Sequence, residues 1–366
     1  MNQVANMQRA KGPLVWLDMD QKALDDAYDQ AVYAPNRDQV HKRNVFNSER
    51  VRQRLGAPKR LAYGTKEIEQ LDLFATSKPN APISIFIHGG AWRSRPVKDY
   101  AFLAEMIVRA GGHWIGVDFD GVENTKGDLL PMADQVRRAV AWVHKNAKSF
   151  GGDPERIFVT SQSSGAHLSG NIVTTNWKDY GVPDNVVKGA LLCSGMYDLK
   201  PVRLSKRSEY VAFTDEVEEK LSSQRHLDRL NCPVIVAHGT YETPEFQRQN
   251  REFAAAVKAA GKPVTFLVAE GYNHFEMTEM IGNPVSLLGS AILEQMKGTA
   301  PPPVLGADAP PSETFAVAVV GAGAAGLSLA LALARDGVAG DEAIRAAAQE
   351  IIDAGPSAPV TGRDPI

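Results

Sequence analysis

The sequence predicts an α/β fold, a mainly parallel, doubly wound sheet with helices on both faces. Three observations lead there. Pro82-Ile83-Ser84-Ile85-Phe86-Ile87 and similar runs are rich in β-branched residues and show no polar alternation, as strands buried on both faces do. Helix-patterned segments separate these runs, which favours parallel strands joined by crossovers. One strand-like run, 157–160, leads into Ser161-Gln162-Ser163-Ser164-Gly165 and then a helix. Such a strand–turn–helix unit lifts a side chain clear of a sheet, beside a helix N-terminus.

Taken in order, residues 20–55 are polar and helix-prone, as in Gln21-Lys22-Ala23-Leu24-Asp25-Asp26-Ala27-Tyr28, and read as an arm outside the core. Residues 61–63 and 68–74 read as edge strands, the second loosely periodic. The buried run 82–87 ends at His88-Gly89-Gly90. A helix over 99–109 and a strand over 114–117 follow. Pro131 opens a long helix whose Met132, Val136, Val140 and Val143 form one apolar stripe. Phe150-Gly151-Gly152-Asp153-Pro154 stops it. Strands are expected over 187–193, 233–237 and 264–268, a helix over 244–260, and a closing helix capped by Asn283-Pro284 and running to about Met296. The charged segment 201–228 has no clear strand and fits either a cap or a surface excursion. Residues 1–300 are read as one domain with an N-terminal arm over 1–58, and 301–313 as a Pro/Ala/Gly linker. In 314–366, a strand-like run enters Gly321-Ala322-Gly323-Ala324-Ala325-Gly326. This resembles the opening of a dinucleotide-binding unit, with Gly321, Gly323 and Gly326 as its glycines. No second strand with its acidic residue follows, so it reads as a truncated fragment and no cofactor is expected.

Composition narrows the classes. The 366 residues are 44% hydrophobic and 23% charged, with a formal net charge of −3, which gives no electrostatic case for nucleic acid. No apolar run suits a membrane span, and the polar residues 1–11 do not read as a secretory signal. The only cysteines, Cys193 and Cys232, sit in or beside strand-like runs. They read as buried core residues, with a reducing cytoplasm as the expected compartment. No metal site is expected. A homodimer stays open.

A serine hydroxyl needs a base, a group to orient that base, and donors for a developing oxyanion. In Ser161-Gln162-Ser163-Ser164-Gly165 the glycine two residues on singles out Ser163, with Ser161 in place of the usual first glycine. Backbone N–H groups of Gly89, Gly90 and Ser164 are candidates for the oxyanion. His274, in Gly271-Tyr272-Asn273-His274-Phe275, follows the last strand and takes the place of the base. Glu242 is the favoured acid because its loop follows the later strand, and Asp198 is the alternative. Glu245 is better explained as a partner of a helix dipole. His88, His167 and His238 read as structural. Trp92, Gln162 and Tyr197 are candidate pocket residues.

These motifs resemble the kynurenine formamidase-like branch of the α/β-hydrolases, close to carboxylesterases. The resemblance covers roughly residues 15–298. It rests on His88-Gly89-Gly90-Ala91-Trp92, Phe150-Gly151-Gly152-Asp153-Pro154, Gly165-Ala166-His167-Leu168, Ser194-Gly195-Met196-Tyr197-Asp198-Leu199, Thr243-Pro244-Glu245-Phe246 and Asn273-His274-Phe275. It implies Ser163 as nucleophile, His274 as base and the position of Glu242 as acid, in a serine hydrolase cleaving a small carboxylic ester or amide. An arylformamidase acting on N-formylkynurenine is one alternative, and a catalytically eroded binding module another. The chain departs from the family at Glu242, where aspartate is usual, and at Ser161, Gln162 and Ser164, where Gly-His-Ser-Ala-Gly is usual. These polar neighbours of Ser163 suggest a different leaving group.

Overall fold

The apolar runs become the middle of one sheet. In the computed structural model, which describes residues 11–93 and 95–298, a ribbon of β1 (Leu14–Trp16) and β2 (Met19–Asp20) opens the chain. It leads through α1 (Gln21–Ala27) and α2 (Arg37–Leu55) into the sheet. The sheet strands are β3 (Lys59–Ala62), β4 (Gln70–Phe74), β5 (Ala81–Ile87), β6 (His113–Val117), β7 (Gly152–Gln162), β8 (Val187–Cys193), β9 (Val234–Gly239) and β10 (Val264–Ala269). Their spatial order is β10-β9-β8-β7-β5-β6-β4-β3. Neighbours from β6 through β10 pair in parallel, and β4 alone runs against the rest. Because β5 lies between β6 and β7, the winding reverses there. A crevice opens at the carboxyl ends of β5 and β7.

Helices cover both faces. On α4 (Leu130–Asn146), Pro131 sits in the first turn, and Met132, Val136, Val140 and Val143 are fully buried, as their spacing predicts. Burying each such side chain is worth about 1.5–3 kcal/mol, so this stripe fixes the helix on the sheet. The helix expected over 99–109 is a 3-10 turn (Val97–Leu103) running into α3 (Ala104–Arg109). α5 (Ser164–Val173) follows β7 directly, and α8 (Pro244–Ala259) follows β9. Thr243 caps α8 through its hydroxyl, which accepts from the Phe246 N–H. Both cysteines are buried and free.

The structure differs from the sequence reading at three places and gives the segment 201–228 its form. The N-terminal arm is not outside the core: Leu24 and Tyr28 are buried in the larger apolar cluster. Leu24 on α1 and Tyr28, which caps it, are four residues apart and so fall on one side, a signal masked by the charges around them. The segment 201–228 forms α6 (Lys200–Leu204), α7 (Asp215–Leu221) and 3-10 turns, and buries Val202, Val217 and Leu221. The chain also forms an unforeseen α9 (Glu276–Ile281). The closing helix, α10 (Leu287–Lys297), is capped by Ser286 and not by Asn283-Pro284. Asn283 instead accepts from the Val285 N–H in the preceding turn. The dinucleotide-like glycines Gly321, Gly323 and Gly326 lie outside the described residues. Among the described residues no helix is long and apolar enough to cross a membrane.

Candidate active site

At the end of β7 the chain turns sharply into α5. Ser163 sits at the corner with φ 59° and ψ −128°, in the positive-φ region that costs a non-glycine residue energy. The neighbours make that corner obligatory. A Cβ on Gly165 would lie 2.1 Å from the carbonyl oxygen of Ile87, so only glycine lets α5 cross β5 this closely. A Cβ on Gly89 would lie 2.7 Å from the Gln162 carbonyl oxygen. Ser161 replaces the first glycine without penalty to its polarity, because its buried hydroxyl donates to the Leu191 carbonyl at 2.9 Å.

Three loops converge on Ser163. Its Oγ lies 2.8 Å from His274 Nε2, and His274 Nδ1 lies 2.7 Å from Glu242 Oε2. A neutral imidazole with its proton on Nδ1 satisfies both contacts: it donates to the carboxylate and accepts from the serine. Phe246 and Phe275 pack edge-on against the ring, with centroids 5.0 and 5.4 Å away. Glu242 is 1% exposed, yet its charge is fully met. Oε1 accepts from the Gly239 N–H at 2.7 Å and the Ser194 hydroxyl at 2.6 Å. Oε2 accepts a further bond from Gln30 Nε2 at 3.3 Å.

The His88-Gly89-Gly90 turn lies across from the serine. Buried His88 stacks on Phe119 at 4.3 Å and donates from Nδ1 to the Gly89 carbonyl at 2.9 Å, which fixes the direction of that peptide. Ala91 and Trp92 follow with φ of 57° and 60°. This strained turn is pinned at Trp92. The Trp92 N–H donates to Ser164 Oγ at 3.1 Å, and its indole N–H donates to His167 Nδ1 at 3.0 Å. His167 passes the restraint on, since its Nε2 donates to the Leu221 carbonyl at 3.0 Å. Burial holds the imidazole neutral, with a pKa lowered to about 4. Ser164 opens α5, where N–H groups have no partner four residues back. Gly89 lies so close to Ser163 that an added Cβ would sit 2.8 Å from the serine Cβ, and Gly90 lines the cavity with Ser163.

The structure therefore brings Ser163, His274, Glu242, Gly89, Gly90 and Ser164 together. It does not bring Asp198 to the histidine. That side chain accepts from the Lys200 N–H at 3.1 Å and faces Arg225 at 3.4 Å. Glu245 does sit in the first turn of α8, and it is also a buried partner of Arg248 and of the Tyr28 hydroxyl. Of the candidate pocket residues, Gln162 lines the cavity in front of Ser163. Trp92 and Tyr197 do not. Trp92 is buried as the pin just described, and Tyr197 is buried against Phe253 with ring centroids 4.0 Å apart. Both are large aromatics next to motif residues, but their motifs face the core. The polar neighbours of the serine also hold internal bonds: Ser164 Oγ accepts from the Trp92 N–H at 3.1 Å, and Gln162 Nε2 donates to the His274 carbonyl at 2.9 Å.

The cavity measures about 400 Å³. Its outer wall comes from residues the sequence did not mark: Tyr28 and Gln30 from the arm, Val40 and Asn44 from α2, and Arg207 from the segment 201–228. Gln30 and Glu242 are 212 positions apart in sequence. No local pattern links them. Among the described residues no cluster of three or more His, Cys, Asp or Glu is placed to hold a metal ion.

Comparison with known proteins matches residues 71–190 to the BD-FAE family model. Kynurenine formamidase of Danio rerio is 30% identical over 294 residues, which covers 77% of this chain and 98% of that protein. The esterase LipC of Mycobacterium tuberculosis is 27% identical over 241 residues, 59% of each chain. Among solved structures, an esterase of Thermogutta terrifontis superposes with a TM-score of 0.54 at 17% identity. That match covers 67% of this chain and 91% of the esterase, and it shows a shared α/β-hydrolase fold.

Proposed function

Since this chain belongs to the kynurenine formamidase family of α/β-hydrolases, we propose that Ser163, His274 and Glu242 form the catalytic triad of a serine hydrolase that cleaves a small carboxylic ester or amide. The observation that supports this most is the continuous relay from Ser163 Oγ through His274 to Glu242, at 2.8 and 2.7 Å. In this reading His274 Nε2 takes the hydroxyl proton as Ser163 Oγ bonds to the substrate carbonyl. The Nδ1–H bond to Glu242 stabilises the imidazolium that forms. The N–H groups of Gly89, Gly90 and Ser164 receive the oxyanion. His274 then protonates the leaving amine or alcohol as the C–N or C–O bond breaks, leaving an acyl group on Ser163. A water, deprotonated by His274, releases the acid and restores the serine.

Within that chemistry we favour an arylformamide such as N-formylkynurenine over an ester. The formamidase relative aligns along nearly its whole length. Every group named lies in one chain, so a monomer and a homodimer serve this site equally. The free buried cysteines suit a reducing compartment.

The test has two arms. A fluorophosphonate should label the native protein and fail to label Ser163→Ala; equal labelling would refute the assignment. Turnover of N-formylkynurenine against p-nitrophenyl acetate then ranks formamide and ester. Both should fall together in His274→Ala.

A further inference from the structure

The run Ser194-Gly195-Met196-Tyr197-Asp198-Leu199 supplies neither nucleophile, base nor acid, yet its first residue is held in a costly conformation beside all three. Ser194 directly follows β8 with φ 57°, in the left-handed region that a residue with a Cβ seldom enters. Of the seven non-glycine residues with positive φ among the described residues, four are Ala91, Trp92, Ser163 and Ser194. The strain is thus concentrated around the reacting serine. Such strain persists only where the surrounding structure over-determines it.

The bonds that enforce it can be named. β8 lies between β7, which carries Ser163, and β9, which leads to Glu242. The peptide joining Cys193 to Ser194 bonds both ways across that gap. Its carbonyl accepts from the Ser163 N–H at 2.9 Å, and its N–H donates to the Ala237 carbonyl of β9 at 2.7 Å. With this peptide fixed on both sides, φ decides where the Ser194 side chain points. The positive value aims the hydroxyl at Glu242 Oε1, to which it donates at 2.6 Å. Beyond it, Asn250 of α8 holds Gly195 on both sides: Nδ2 donates to the glycine carbonyl at 3.2 Å, and Oδ1 accepts from the glycine N–H at 3.4 Å. Ser194 is fully buried and does not line the cavity.

We propose that Ser194 is a positioning residue of the triad: its peptide ties down the corner of the nucleophile, its hydroxyl ties down the acid, and together they set the gap that His274 spans. This rests on the serine-hydrolase reading of the same site. A hydrogen bond to a carboxylate is among the stronger ones. Without it, Oε1 keeps the Gly239 N–H alone, and the carboxylate can turn about its last, soft torsion. That turn carries Oε2 off His274 Nδ1, and a small misplacement of a catalytic group is expensive in rate.

The test compares full-length variants on p-nitrophenyl acetate. Ser194→Ala should lower kcat by about ten- to a hundredfold, the range for one lost bond to a charged acceptor. KM should stay within about twofold of wild type, because Ser194 does not meet the substrate. Ser194→Gly separates placement from stability. Glycine takes positive φ without strain, so this variant should unfold at a higher urea concentration than Ser194→Ala and yet be no more active. Recovery of kcat along with stability in the glycine variant would make Ser194 structural and overturn the proposal. So would a kcat within about twofold of wild type in Ser194→Ala or, if that variant does not fold, in Ser194→Gly. In a Glu242→Ala background, Ser194→Ala should cost less than about twofold more, because the hydroxyl acts through that carboxylate. A further tenfold loss there would also overturn it. Ser163→Ala tests the premise separately. Wild-type hydrolysis by Ser163→Ala would remove the triad itself, whereas an inactive Ser163→Ala beside a fully active Ser194→Ala would remove only the role of Ser194.

Discussion

Glu242 stands where the resemblance leads one to expect aspartate, and its longer side chain still finds a full set of partners. The extra methylene carries the carboxylate to a point where the Gly239 N–H, the Ser194 hydroxyl, Gln30 and His274 all converge on it. A buried carboxylate with fewer partners would be penalised, and one with these is held in place. Glu242→Gln keeps the size but loses the charge, and it turns an NH₂ toward donors. We expect kcat to fall by about 10³–10⁴, as for loss of an orienting carboxylate in a serine triad, measured on p-nitrophenyl acetate at saturation. Glu242→Asp withdraws the charge by about one C–C bond, about 1.5 Å, and should cost less than the glutamine variant because the charge remains. A different residue tests the geometry of the turn. Gly165→Ala would push a methyl into the Ile87 carbonyl at 2.1 Å. The clash is with backbone, which cannot swing aside, so the loss in urea unfolding should reach at least about 3 kcal/mol.

At the scale of elements, the N-terminal arm is the part whose role the sequence hid. It buries Leu24 and Tyr28, binds the α8 cap through the Thr243 hydroxyl to the Ala27 carbonyl at 2.6 Å, and sends Gln30 to Glu242. Gln30→Ala removes one donor to a charged acceptor, a loss of about 1.5–3 kcal/mol if the bond is fully made. At 3.3 Å the lower end applies, so kcat should fall by about tenfold. Leu24→Ala should destabilise the protein by about 2–5 kcal/mol, read in the same urea titration. The core strands were legible because parallel strands buried on both faces announce themselves: β8 (Val187–Cys193) begins and ends where the apolar run does. Ser163 and His274 were legible because their loops follow strands in a fixed order. Trp92 and Tyr197 were misread because a motif marks a loop without saying which face each side chain takes. Gln30 and Arg207 were invisible, since a polar residue in a polar segment carries no sign of what it will touch after the chain closes.

For the molecule as a whole, the same buried histidines that hold the site make it sensitive to acid. His167 bridges Trp92 and Leu221 as a neutral ring. Burial lowers its pKa to about 4, against about 6.5 in an unfolded chain. Burial displaces His88, His113, His144 and His238 in the same direction. Between the two pKa values the unfolded chain binds more protons than the folded one, so protonation pulls toward unfolding. The stabilisation from His167 is therefore complete above about pH 6.5 and is lost as pH falls toward 4, to a limit of about 3 kcal/mol. His167→Gln offers a direct check. A glutamine can accept from the Trp92 indole through Oε1 and donate to the Leu221 carbonyl through Nε2, and it does not titrate. Urea unfolding at pH 7 and pH 4.5 should show the wild type losing about 2 kcal/mol more than the variant over that interval. Equal losses would mean that the ring is already free to protonate in the folded state. The Trp92 pin would then open in acid without global unfolding, and activity would fall before stability does.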